Sequence, residues 1–118
     1  MQDYRRLLVW EKSHKLLLGV YAYAAKYLNQ PLAWGVRDQI TRASLSIGSN
    51  IAEGAGRGSD GDFRRFLLYS LGSTNEVEYD LLVARDLAFI PGHLHRERTE
   101  QVEEVRRMLS SFVQRLTV

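Results

Sequence analysis

Apolar side chains recur at alternating spacings of three and four residues in four long stretches of the chain, which is the period of an α-helix. The pattern predicts helices over about residues 8–28, 33–52, 60–88 and 95–116. Pro31, Gly54 and the pair Pro91-Gly92 stand at the junctions, where residues of these types end helices. Four helices with short connections predict an all-α, antiparallel up-down four-helix bundle that occupies residues 1–118 as a single domain.

The first helix carries two adjacent apolar rows rather than one. One row runs from Trp10 through Leu17 to Leu28, and the other lies about 100° further round the helix axis. Together they make an apolar arc wider than the core of one bundle covers. We therefore expect the second row to contact other copies of the chain. Its members are Val9, Leu16, Val20, Tyr23 and Tyr27.

Composition adds several exclusions and a charge gradient. The chain is 45% hydrophobic and 25% charged with a net charge of +2, as in ordinary globular proteins. It contains no cysteine, which excludes disulfides, thiol nucleophiles and Cys-based zinc or iron–sulfur sites. Basic residues exceed acidic ones by four over residues 1–65, whereas residues 76–104 have a local charge of −5. Surfaces of both signs are therefore available for partners.

Basic residues lie just before the first helix, along its narrow polar strip, in the glycine-rich loop and at the start of the third helix. Repeated around a symmetric oligomer, such patches produce a field that holds nucleic acid through its phosphates. An ordinary charged surface is the alternative, since no zinc finger or RNA-binding sheet motif is present. The candidate nucleic-acid contacts are Arg5, Arg6, Lys12, Lys15, Lys26, Arg57, Arg64 and Arg65.

A polar row follows the second helix beside its apolar stripe, and the third helix has a matching row. Arg42 can pair with Glu76 if these helices are antiparallel neighbours. Buried polar networks of this kind fix register and partner choice. A row that faces water, and a row that binds a ligand or takes part in catalysis, are the alternatives. The predicted structural network consists of Gln39, Arg42, Ser46, Asn50, Glu53, Ser73 and Glu76.

Two short motifs with known chemistry are interpreted as structural. The stretch Gly56–Gly61 matches the dinucleotide glycine pattern, but a helix precedes it, so we expect a connector whose Ser59 or Asp60 caps the third helix. Glu11 and His14 have the Glu-x-x-His spacing of di-iron bundles, which need that motif on two helices. We therefore expect neither an enzyme nor a cofactor or metal site.

A segment for export or membrane insertion is not expected. Leu16–Ala25 is free of charge, but ten residues are too few to span a bilayer. The preceding residues continue the same helical pattern instead of forming the basic leader of a signal peptide. These features predict a cytoplasmic protein without a membrane partner.

The run Gly35–Gly54 resembles the signature of the four-helix bundle proteins encoded in intervening sequences of bacterial 23S rRNA genes. Leu8-Val9-Trp10, Arg57-Gly58-Ser59, residues 63–67, and Gly72-Ser73 with Glu76 extend this resemblance over nearly the whole chain. The resemblance implies an antiparallel bundle that assembles as a ring-shaped homopentamer. The accessory variability proteins of diversity-generating retroelements are similar to this family, which implies a reverse transcriptase and nucleic acid as partners.

These observations predict a non-enzymatic homo-oligomer, a pentamer, that acts as an accessory or scaffold for RNA, DNA or a nucleic-acid enzyme such as a reverse transcriptase. The first alternative is a protein-only adaptor that docks a basic partner on the acidic face of the third and fourth helices. The second alternative is a bundle that binds a small molecule or a metal in its polar row.

Overall fold

The computed structural model describes residues 2–116, which form four helices. They are α1 (Leu8–Tyr27), α2 (Trp34–Ala55), α3 (Asp60–Asp86) and α4 (Gly92–Arg115), with short 3-10 turns at Tyr4–Arg6 and Pro31–Ala33. No strand occurs in the described part of the chain. The predicted all-α fold with four helices is confirmed, and the bundle measures 44 × 20 × 19 Å.

The end of α2 differs from the prediction, because the helix passes through Gly54 and continues to Ala55. Gly54 serves a close approach between helices instead of ending one. A Cβ atom at this position would lie 2.8 Å from the Cβ of Phe66 and 2.9 Å from Cδ1 of Phe63. The missing side chain therefore allows the end of α2 to pack directly on the start of α3.

The caps explain the other helix ends. The Ser59 hydroxyl accepts a hydrogen bond of 3.2 Å from the backbone amide of Asp62, so the predicted cap of α3 is present. That helix ends two residues before the predicted boundary, because Ala88 has a φ of 59°, in the left-handed region that terminates helices. Pro91 precedes the first residue of α4, and its carbonyl accepts hydrogen bonds from Leu94 and His95. This helix therefore begins earlier than predicted.

The core lies between the four helices and consists of Leu, Ile and Val side chains. Each fully buried side chain of these types contributes about 1.5–3 kcal/mol through removal of apolar surface from water. Thr74 and Ser70 are also buried, but both hydroxyls donate to backbone carbonyls, so they leave no unpaired group. The most deeply buried side chains are Leu16, Val20, Leu28, Ile40, Ile47, Ile51, Leu67, Val77, Leu81, Val102, Val105 and Leu109.

The two apolar rows of α1 are placed the other way round from the prediction. The row assigned to contacts between copies is mostly the core of the single chain, since Val9, Leu16, Val20 and Tyr23 are all buried. That part of the interface prediction is wrong, while Tyr27 is only half-buried. The adjacent row faces outwards over its first part, where Trp10, His14 and Leu17 are half-buried and Tyr21 is exposed, while its last members Ala24 and Leu28 are buried.

The contact between α2 and α3 is built from small residues. The Ser70 hydroxyl donates to the carbonyl of Ile47 at 2.8 Å. The hydroxyls of Ser46 and Ser73 are also hydrogen-bonded to each other across this contact. Together with Gly54, these side chains bring the two helix backbones close together.

Two charged contacts join α1 to α4. Lys12 forms an ion pair of 3.3 Å with Glu104. Further along α1, the guanidinium of Arg98 lies against Gly19, where a Cβ atom would be 2.8 Å from Cζ. Going along α1 from Lys12 to Gly19, the contacted residue of α4 therefore moves back from Glu104 to Arg98.

Candidate nucleic-acid interface

One end of the bundle collects arginines from separate segments of the chain. The amide of Gln2 donates to the carbonyl of Ala55 at 2.9 Å, which ties the first residues to the end of α2. Phe63 at the start of α3 contacts Gly54 and meets the ring of Phe112 in α4 with 5.1 Å between ring centroids. We call this region the arginine end. Its arginines are Arg5, Arg6, Arg57, Arg64, Arg65, Arg107 and Arg115.

Most of the predicted cations already contact carboxylates of the same chain. Such surface pairs contribute little to stability, but they reduce the net positive charge offered to a phosphate. The hydrogen bonds from Arg5 also hold the pKa of Asp3 below its usual value. The pairs are Arg5–Asp3 at 3.1 Å, Lys12–Glu104 at 3.3 Å, Lys15–Glu11 at 3.6 Å, Arg57–Glu53 at 2.9 Å and Arg65–Asp62 at 3.2 Å.

The remaining three predicted cations have no carboxylate within 4.0 Å among residues 2–116. Arg6 and Arg64 belong to the arginine end. Lys26 is in the last turn of α1, where its ammonium lies 5.2 Å from the ring centroid of Tyr27. The structure therefore does not bring all eight candidates onto one surface.

Two functional candidates, Arg107 and Arg115, were missed by sequence reasoning. They follow the acidic region, in residues 105–118, which contain three arginines and no Asp or Glu, so their positive local charge was a signal that we did not connect with the other cations. The fold places them beside Arg6, around a cleft of about 500 Å³ between the start of α1 and the end of α4. Neither has a carboxylate partner among the described residues, and Arg115 donates to the Ser111 hydroxyl at 3.1 Å. Only the tertiary structure shows this grouping.

The predicted polar network is formed in part. The Asn50 side chain donates to the carbonyl of Ser46 at 2.9 Å, and Ser46 contacts Ser73. The pair between Arg42 and Glu76 is not formed; both side chains are exposed beside the α2–α3 contact. That prediction is wrong, because the contact between α2 and α3 buries only small side chains and leaves the long side chains of Arg42 and Glu76 in water. Gln39 and Glu53 are exposed as well.

The outward face of α1 and α2 carries an aromatic groove of about 220 Å³. The indole of Trp10 stacks on the ring of His14, with 4.9 Å between centroids, and meets Tyr4 edge-on at 5.0 Å. Gly48 and Leu45 of α2 form the opposite side of the groove. Leu45 is 50% exposed, and Tyr21, one helical turn beyond Leu17 on the same side of α1, is also 50% exposed. This face therefore presents apolar surface to the solvent.

The described residues contain no candidate metal centre. Within residues 2–116, no three His, Cys, Asp or Glu side chains are grouped as a metal ion requires. The same part of the chain has no helix whose length and apolar character suffice for crossing a membrane.

Comparisons with known proteins agree with this architecture. A crystal structure of a protein of unknown function from the S23 ribosomal protein family of Bacteroides thetaiotaomicron VPI-5482 superposes with a TM-score of 0.85. It is 25% identical in sequence, and the alignment covers 90% of this chain and 98% of that one. A comparison with curated proteins finds no significant match. The profile described as 23S rRNA-intervening sequence protein matches residues 5–111, so the chain belongs to the 23S rRNA-intervening sequence protein family.

Proposed function

We propose that this protein is a non-enzymatic scaffold that binds RNA, or presents RNA to an enzyme acting on it, through its arginine end. The observation that carries the proposal is the grouping of arginines that have no carboxylate partner among residues 2–116. They are Arg6, Arg64, Arg107 and Arg115. A cytoplasmic setting, where RNA is available, is part of the same proposal.

Arginine suits this role because its planar guanidinium forms two parallel hydrogen bonds with a phosphate and keeps its charge at any physiological pH. Contacts of this kind position the nucleic acid but do not read its sequence. They also release condensed counterions, so the affinity falls steeply as salt concentration rises. The proposal therefore predicts salt-sensitive binding with little dependence on base sequence.

We expect Arg64→Gln and Arg107→Gln to weaken binding of a structured RNA, because each removes one phosphate contact. Fluorescence anisotropy across a salt series should show the slope of log Kd against log salt decreasing by about 0.7–0.9 per substitution. Arg96→Gln is the matched control, since Arg96 is exposed near the opposite end of α4 and has no ion pair among the described residues. Equal affinities and slopes for all three variants and the wild-type protein would reject the arginine end as the RNA surface.

The proposal includes assembly of this antiparallel up-down bundle into a ring-shaped homopentamer. Its support is the apolar face of α1 and α2 around the aromatic groove, where Tyr21 and Leu45 are each half exposed. Clustered apolar residues on a helix pair are typical of contacts between protein chains. A ring closes when one surface of each copy contacts a different surface of the next. Repetition around a ring also multiplies the positive field of the arginine end.

Light scattering should report the mass of a pentamer for the wild-type protein at micromolar concentration. We expect Leu45→Gln to lower that mass, because it places an amide in the proposed apolar contact. Leu87→Gln is the control, since Leu87 is 56% exposed but follows the end of α3, away from this face. A monomeric wild-type protein, or equal masses for both variants, would contradict this interface.

A protein-only adaptor is the second candidate, and the acidic first half of α4 favours it. Glu97, Glu100 and Glu104 line a shallow depression of about 310 Å³ together with Arg98 and Gln101. A basic partner segment would complement this surface. Two results together would favour the adaptor over the RNA scaffold. Glu100→Gln would bind an oligolysine peptide more weakly than the wild-type protein, and the Arg64→Gln and Arg107→Gln variants would bind RNA as well as the wild-type protein does.

A further inference from the structure

We infer that the cleft between the start of α1 and the end of α4 receives an unstacked base of single-stranded RNA while the arginines on its rim hold the adjoining phosphates. This inference rests on the proposed function and adds the class of nucleic acid that the arginine end selects. It is carried by the contrast between the lining of the cleft and its rim.

The lining is apolar and the rim is cationic. Leu7, just before α1, and Leu8 and Val9 in its first turn face Met108 and Phe112 of α4 across the cleft. The rim contains Arg6, Arg107 and Arg115, and among residues 2–116 no acidic side chain lines the cleft. Its volume of about 500 Å³ exceeds that of one nucleobase, and it is within the usual range for small-ligand sites. An apolar floor within a ring of cations fits a ligand with a flat apolar face and flanking negative charges.

A guanidinium platform is already assembled at one side of the cleft. The Arg115 guanidinium carbon lies 5.2 Å from the centroid of the Phe112 ring, and its Nη1 atom donates to the Ser111 hydroxyl at 3.1 Å. Phe112 is itself braced by an edge contact with Phe63. Bases splayed out of single strands stack on guanidinium planes and aromatic rings of this kind. The outer face of Arg115 is therefore available for a base without any rearrangement of the core.

The first turn of α1 supplies further positive potential beside the rim. Leu7 precedes the helix without a side-chain cap, and the amides of Leu8 and Val9 have no backbone acceptor. Free amides and the helix dipole favour a phosphate at such a position. The apolar base site, the cationic rim and this uncapped turn therefore occur within one small region.

The same geometry disfavours a duplex. In A-form RNA the bases are stacked and paired. The phosphates of a duplex can contact the arginines of the rim, but its bases cannot enter the cleft, so the apolar lining stays exposed to water. Within the described part of the chain, Ser111 is the one uncharged polar side chain in the lining, which leaves little hydrogen bonding to base edges. We therefore expect preference for single strands with weak dependence on base identity.

The test compares a short single-stranded RNA with its duplex form by fluorescence anisotropy, using the full chain. We expect the single strand to bind at least about fivefold more tightly, because it can stack one base in the cleft. Leu8→Gln and Met108→Gln should each weaken single-strand binding about three- to tenfold while leaving duplex binding and the salt slope unchanged. Leu87→Gln matches the exposure of Leu8 and should change neither.

The outcomes separate this inference from the function on which it rests. Equal affinities for single strand and duplex, with no effect of Leu8→Gln or Met108→Gln, would overturn the base site while RNA binding by the arginine end stands. Absence of RNA binding even at low salt would reject the proposed function itself. A change of assembly mass in the cleft variants without a change in RNA affinity would overturn the base site and assign the cleft to a contact between copies. Circular dichroism confirms that each variant is folded.

Discussion

Replacing Gly54 with alanine is expected to destabilise the protein by about 1–3 kcal/mol, although alanine is the better helix former. The new methyl group would lie 2.8 Å from the Cβ of Phe66 and 3.3 Å from the backbone carbonyl oxygen of Phe63. Neither atom belongs to the free end of a flexible side chain, so the α2–α3 contact itself must open. Loss of close packing along the start of α3 then exceeds the gain in helix propensity.

Gly72→Ala provides the matched control for this effect. Gly72 is also inside a helix, but a Cβ atom there meets nothing within 4 Å. We expect it to stabilise the protein by up to about 1 kcal/mol through helix propensity alone. Urea denaturation at one fixed protein concentration measures both variants, since association makes stability depend on concentration. Destabilisation of equal size at both sites would show that the tight contact at Gly54 is not the cause.

Replacing Asp80 with asparagine is expected to stabilise the protein at neutral pH. Burial, helped by the neighbouring Glu76 carboxylate, raises the pKa of Asp80 from 3.8 to about 6. The folded chain therefore binds this proton more tightly than the unfolded chain, and stability falls as pH rises from about 4 to about 6. The full shift corresponds to about 3 kcal/mol, which partial exposure reduces, so we expect a gain of about 1–2 kcal/mol at pH 7.

The dependence on pH distinguishes this effect from a general change in packing. The difference in unfolding free energy between Asp80→Asn and wild type should shrink as the pH falls and vanish below about pH 3, where Asp80 is protonated in both states. Asp86→Asn, on the same helix, changes an exposed carboxylate paired with Arg85 and should have an effect of about 1 kcal/mol or less in the destabilising direction. A pH-independent gain for Asp80→Asn would contradict the assigned cause.

The helical period was sufficient to predict the number and type of elements, but not the orientation of α1. Its two apolar rows have the same spacing, and the chemistry of Trp10 is as compatible with a core as that of Leu16. Burial of Leu16 is decided by the other three helices, whose inner stripes contain Ile47, Leu81 and Val105. The position of Gly54 was similarly ambiguous, since a glycine that ends a helix and one that admits a neighbour are identical in sequence.

The candidate site was less predictable than the fold, for an electrostatic reason. Sequence reasoning identified Arg6 and Arg64, yet could not show that Arg5 and Arg65 are paired with Asp3 and Asp62. It also could not show that Arg107, which is about a hundred residues away along the chain, lies beside Arg6 in space. The net charge of a surface depends on which carboxylates pair with which cations in the folded chain. The spacing of charged residues along the sequence contains little of that information.

The seam between α2 and α3 sets their alignment with very few groups. Most serine and threonine hydroxyls in these helices donate to a carbonyl of their own helix, so they would remain satisfied if one helix slid along the other. Among residues 2–116, only the bond from Ser70 to Ile47 and the Ser46–Ser73 pair join one helix to the other through hydrogen bonds. These two hydrogen bonds and the close approach at Gly54 would be lost if α3 moved along α2 by one helical turn. They therefore favour the native alignment of α2 and α3 over a displaced one.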